Sequence, residues 1–152
     1  MADTRITKSL LFFVIFFSLG FTFSYDDNCI LTVVVGGIDT PSGTIRVAIY
    51  NSQDHFLEKD KFVFNKTIVV GNNKSVRLDF ILPHAYYAVT CYHDINDNHR
   101  LDQNYMGIPQ EPYALSNNVS IKWRRPTFDE TKFAVTKAAQ TIYLEVKRWK
   151  DR

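Results

Sequence analysis

Between Cys29 and Val146, apolar side chains recur at every second position in short runs broken by Gly, Pro, Asn and Asp. Side chains of an extended strand alternate between two faces, so such runs predict half-buried strands. Cys29, Leu31, Val33 and Val35 share one face of a first strand that stops at Gly36-Gly37. After a Pro41-Ser42-Gly43 turn, Ile45, Val47 and Ile49 alternate with Thr44, Arg46, Ala48 and Tyr50. The stretch Asn51 to Asn65 breaks the alternation and reads as a crossover, with Phe56, Leu57, Phe62 and Phe64 tucked beneath it. Ile68 to Val70, a Gly71-Asn72-Asn73 turn, and Val76, Leu78, Phe80 and Leu82 read as a hairpin that Pro83 ends. Tyr86 to Tyr92, Phe133 to Thr136, and a run through Ile142, Leu144 and Val146 complete about seven strands, with no convincing amphipathic helix. The pattern predicts an all-β sandwich. Leu31, Val33, Ile45, Val47, Ile49, Leu78, Phe80, Val89, Ile142 and Leu144 should be buried, because a one-residue slip would turn each apolar set into water.

The N-terminus has another composition. Arg5 and Lys8 precede an apolar run from Leu10, and six of the twelve Phe fall between Phe12 and Phe23. This is the layout of a secretory signal, with Thr22 and Ser24 as small residues before a cut. Residues 1–24 therefore read as a signal peptide and 25–152 as a single domain, secreted or periplasmic. An uncleaved N-terminal membrane anchor is the alternative, although the run is short for a span of about 20 residues. No stable membrane insertion is expected after cleavage. Without Arg5, Lys8 and Asp3, 16 basic side chains face 15 acidic ones, which gives no reason to expect a nucleic-acid partner.

The two cysteines have two readings. By parity Cys29 and Cys91 both point into the core, and in an oxidising compartment a disulfide between them would contribute about 4 kcal/mol. They equally suit buried thiols used as small hydrophobes.

The chemistry is concentrated in "CYHDINDNHRLDQNYMGIPQEPYALSNN", from Cys91 to Asn118. Asp94, Asn96 and Asn98 alternate, followed by Asp102 and Asn104, with Asp97 between. Calcium takes about six to eight oxygen ligands, and alternating Asp and Asn can wrap several around one ion. The spacing is that of the first half of an EF-hand loop, except that His99 stands at the sharp-turn glycine and Tyr105 at the closing glutamate. Glu111 would then complete the set. The other reading is an Asx turn, in which the same side chains bond their own backbone. On either reading the loop is expected to fold back on Glu111, Asn117 and Asn118, making one polar site at an end of the sandwich. Like charges on Asp94, Asp97 and Asp102 require a cation, Arg100 or donor amides among them.

His93 and His99, with Asp94, Asp97 and Glu111, allow a second chemistry: a transition-metal site or a general acid and base, hence a metal-dependent hydrolase. Against it, His93 continues the parity of Cys91, as a strand-end His bonded by a turn carbonyl would. No GxSxG elbow, HExxH, P-loop or dinucleotide fingerprint occurs. "KWRRP" (Lys122 to Pro126) and "KRWK" (Lys147 to Lys150) combine base with Trp and suit a polyanion or glycan, or a solvated face. Asn65, Asn73 and Asn118 begin N-x-Ser/Thr sequons.

The ordered segments "GTIRVAIYNS", "YYAVTCYHDINDNHRLDQNYMGIPQEPYALSNN" and "RRPTFDETKF" resemble the bacterial secreted family called domain of unknown function 2141. The matching positions are His93, Asp94, Asn96, Asn98, Leu101, Asp102, Asn104, Gly107, Ile108, Pro109, Glu111, Ser116, Asn117, Asn118, Pro126 and Phe128, while His99 and Ala114 replace two glycines. The resemblance implies an immunoglobulin-like or prealbumin-like sandwich and no established activity. The reading that results is an exported, non-enzymatic domain, calcium-stabilised or not, that binds a partner, glycan or envelope component.

Overall fold

A computed structural model describes residues 28–120 and 124–151. Residues 1–24, where a signal peptide is expected, and Lys122 and Trp123 lie outside the described residues. The fold is an all-β sandwich, in which the described residues form eight strands in two sheets. One sheet has the order β4-β1-β8, formed by β4 (Val76–Pro83), β1 (Asn28–Gly36) and β8 (Ala139–Glu145). The other runs β3-β2-β5-β6 through β3 (Phe64–Val69), β2 (Thr44–Tyr50), β5 (Ala85–Asp94) and the short β6 (Tyr113–Leu115). β7 (Phe133–Val135) also pairs with β5, at its opposite end from β6. All neighbours are antiparallel except β1 and β8, which run parallel.

The period-two pattern accounts for the core. Cys29, Leu31, Val33 and Val35 of β1 stand directly opposite Leu82, Phe80, Leu78 and Val76 of β4. Across the sandwich, Ile45, Val47 and Ile49 of β2 pair with His93, Cys91 and Val89 of β5. Every residue expected in the core is buried except Ile142, which is half-buried and packed against it. A second cluster forms on the outer face of the larger sheet, where Phe56 of the crossover meets Tyr50 and Phe128 edge-to-face at 5.5 and 6.0 Å.

One connection differs from expectation. Ile68–Val70 and Val76–Leu82 are not a hairpin: β3 pairs with β2 and β4 with β1, in opposite sheets. The Gly71 turn (φ +56°) carries the chain from one sheet to the other, with Val70 buried at the crossing. A turn of this composition suits either connection; the long β1–β4 register decides between them. A one-turn helix, α1 (Phe128–Thr131), was also not anticipated, although Thr127 and Glu130 close a capping box around it.

Cys29 and Cys91 are both buried in the same core, entering it from opposite sheets, and burial pushes the Cys29 thiol up. Thiol titration of the native protein should therefore read close to zero. Two thiols per chain should appear on unfolding without reductant; none appearing would signify a Cys29–Cys91 bridge.

Candidate functional site

The outer face of the larger sheet positions the polar loop. Its rows follow from register: Thr44 beside Asp94, then Thr67–Arg46–Tyr92, then Asn65–Ala48–Thr90, then Tyr50 beside Ala88. The last row is covered by the Phe56 crossover and α1. The first is covered by the loop that follows β5, so Asp94 is wholly buried.

That loop is built on Asp94. Its Oδ2 accepts from Arg46 Nε at 2.7 Å and from the His99 amide at 2.9 Å, while Oδ1 accepts from the Asn98 amide at 3.0 Å. Asn96 Oδ1 accepts from the Asn98 amide, and Asn98 Oδ1 from the Arg100 amide. These are Asx turns, and they aim both amide nitrogens at Asp102: Asn96 Nδ2 donates at 2.8 Å, and Asn98 Nδ2 reaches both carboxylate oxygens at 2.9 and 3.0 Å. Glu111, also buried, closes the loop from behind by accepting the amides of Ile95 and Asp102. Asn104 Oδ1 accepts from the amides of Met106 and Ile108, making a separate turn at the tip. Asp97 accepts from Thr44 Oγ1 at 3.0 Å. His99 keeps a left-handed backbone (φ +67°), and its Nδ1 accepts from Arg46 Nη2.

Each carboxylate thus has its own donors, which is how the loop tolerates its charge. An ion of six to eight oxygens would require the Asn96 and Asn98 amides to turn their oxygens toward Asp102 and break the Asx bonds. Among the described residues, no group of three or more His, Cys, Asp or Glu is placed to hold a metal. His93 is buried on the core side, its Nε2 bonded to the Ser42 carbonyl at 2.7 Å. The strand-end His held by a turn is the observed arrangement.

Asn117 and Asn118 are not part of this site. β6 carries the chain from Glu111 back along β5, so the Ser116-Asn117-Asn118 turn lies beside Val89 rather than Asp94. Ser116 Oγ accepts from the Val89 amide and donates to the Thr131 carbonyl, while Asn117 Nδ2 donates to the carbonyls of Glu130 and Lys132. These residues clamp α1, and the polar loop contains Asp94 to Asn104 plus Glu111 alone.

The Asn98 and Asn96 amides, with Arg100, hold the Asp102 carboxyl below its ordinary range, and Arg124 with the Thr127 cap holds Glu130 down to about 2. A carboxylate depressed in the folded state stabilises above its unfolded value, and that contribution is lost as pH falls through the folded one. Stability should therefore begin to fall below about pH 4 and continue to fall toward pH 2. Glu130→Gln should flatten the lower part of the curve in an acid titration followed by circular dichroism; an unchanged slope would contradict the assignment.

Sequence reasoning missed Arg46, because it lies 48 residues from Asp94 and only register brings the two together. It also missed a groove of about 450 Å³ in the uncovered middle of the sheet. Arg46, Ala48, Thr90 and Tyr92 form the floor, Leu57 and Phe62 of the crossover one wall, and His99, Leu101 and Pro109 of the polar loop the other. Burial pushes the Tyr92 phenol up to about 12. The protein is an all-β sandwich with one outer face walled into a groove by two ordered connections. Residues 33–143 match the family described as "Uncharacterized protein conserved in bacteria (DUF2141)", and the chain belongs to it. No curated protein and no solved structure matches the chain.

Proposed function

We propose that this chain is an exported, non-enzymatic binding module that takes an extracytoplasmic ligand or envelope component into the groove on its larger sheet. The observation that carries the reading is the partial cover of that face. Its end rows are sealed by the crossover and the polar loop, while the two middle rows stay open between rigid walls. A pocket of a few hundred Å³, apolar with a few fixed polar groups, is the usual form of a small-ligand site. The basic and apolar N-terminus supports export, and among the described residues no helix is long and apolar enough to cross a membrane.

A panel of neutral and anionic saccharides and small amphiphiles, screened by ligand-observed NMR against the full chain, tests the groove. Binding should disappear in Ala48→Trp, which fills the floor, and in Asn65→Trp, which blocks it from an exposed position on edge strand β3. No binding, or binding indifferent to both variants, would refute the reading. Calcium enters it as a stabiliser of the polar loop, supported by the alternating Asp and Asn. Millimolar Ca²⁺ should then raise the melting temperature of the wild type and not of Asp102→Ala; no rise would remove calcium from the proposal.

A further inference from the structure

The charges around the groove cancel. The Lys66 ammonium turns away to the opposite sheet, where it donates to the Asp79 carbonyl and lies 5.1 Å from the centre of the Phe80 ring. Arg46 and Arg100 are already paired, with Asp94 and Asp102. Among the charged side chains of the lining this leaves Lys59 and Arg125 against Glu58 and Asp60. Equal numbers of each sign give no net field to draw in an ion, so the occupant that the rim complements is uncharged.

The floor is polar. Its two open rows are Thr67–Arg46–Tyr92 and Asn65–Ala48–Thr90. The Thr90 hydroxyl and the Asn65 side-chain amide have no hydrogen-bond partner among the described residues, and a hydrocarbon laid over them would strip their water and return nothing. A ligand that satisfies them has to bring its own donors and acceptors. The rim makes the same demand, since Lys59 and Arg125 donate and Glu58 and Asp60 accept, and neutral hydroxyls answer both. Beside these groups stand the half-buried rings of Tyr92 and Phe62, whose flat faces suit a ring with apolar C–H surfaces. Hydroxyls around the edge and C–H groups on the faces occur together in a pyranose.

Resting on the groove reading above, the geometry points to an uncharged mono- or disaccharide as the ligand. Its ring lies against Tyr92 and Phe62, and its hydroxyls bond Thr90, Asn65 and the mixed-sign rim. About 450 Å³ is room for a ligand of that size.

Isothermal titration of the full chain with cellobiose, maltose and N,N′-diacetylchitobiose, all uncharged, and with the acidic digalacturonate tests this. At least one uncharged sugar should bind, and digalacturonate should bind no more tightly than that sugar. Raising NaCl to 0.5 M should change the affinity of the uncharged sugar less than about twofold, because its binding involves no net charge to screen. Thr90→Val, which removes one hydroxyl at nearly constant volume, should weaken that sugar about fivefold, and Asn65→Trp should abolish its binding. Digalacturonate binding more tightly than every uncharged sugar, or sugar binding unaffected by both variants, overturns the inference. If other members of the panel occupy the groove while none of the uncharged sugars does, the saccharide inference falls and the groove reading stands. If nothing occupies it, both fall.

Discussion

Gly43→Ala should destabilise the protein by about 3–5 kcal/mol, the largest effect expected of any single methyl group in this chain. A Cβ at Gly43 would lie 2.1 Å from the Asp94 carbonyl oxygen and 2.8 Å from the Ile95 Cα, both backbone atoms that no rotamer change can move. The residue also has φ +74°, a left-handed conformation that costs a side chain about 1–2 kcal/mol. Relief is blocked on both sides, because the turn is bonded to His93 through the Ser42 carbonyl and to Val70 through the Gly43 carbonyl. Denaturant unfolding followed by tyrosine and tryptophan fluorescence measures the loss. A change under about 1 kcal/mol would mean that the turn does not abut β5 as described.

Asp94→Ala should cost about 3 kcal/mol and leave the segment from Ile95 to Asn104 open to proteolysis. The substitution removes the acceptor for three bonds and leaves the Arg46 guanidinium, which is only 21% exposed, without its anion. Because every one of those partners is a protein donor, the loss should already be present in EDTA. Asp94→Asn, which keeps one acceptor oxygen, for the Asn98 amide or for the His99 amide and Arg46 but not for both sides, should cost less than Asp94→Ala. A loss confined to Ca²⁺-containing buffer would instead identify Asp94 as an ion ligand.

The fold was legible wherever a strand has one buried face. Val76 to Leu82 alternates buried with exposed residues, and in Cys29 to Val35 and Ile45 to Ile49 every second residue is buried while those between, apart from Thr32, are half-buried or exposed, so parity alone assigns their faces. Which strands pair was not legible, because pairing depends on contacts remote in sequence, and Gly71-Asn72-Asn73 serves a crossing between sheets as well as a hairpin. β6 escaped notice because Tyr113, Ala114 and Leu115 are all buried, erasing the alternation. In the polar loop, composition pointed to residues from Asp94 to Asn104 and to Glu111, most of which share one hydrogen-bond network. It could not decide which atoms face inward, a matter of where each Asn amide finds its carbonyl and amide partners. Asn117 and Asn118 were drawn into the same site by their nearness in sequence and their oxygen-bearing side chains. Three residues of β6 are enough to carry them to the far part of β5.

The parallel pairing of β1 with β8 has a consequence for how the chain is made. Ile30 finds its neighbour in Ala139 and Gly36 in Glu145, so β1 leaves the ribosome about a hundred residues before the strand it pairs with. Until then β1 has only β4 beside it, and the inner face of that pair lacks Leu144. A nascent chain is therefore held short of closure until β8 has been made, and a sandwich dominated by such remote contacts folds slowly compared with a helical domain of equal length. Truncation before Ala139 removes the strand that completes the smaller sheet, so such a fragment would expose an open β1 edge ready to pair with another chain.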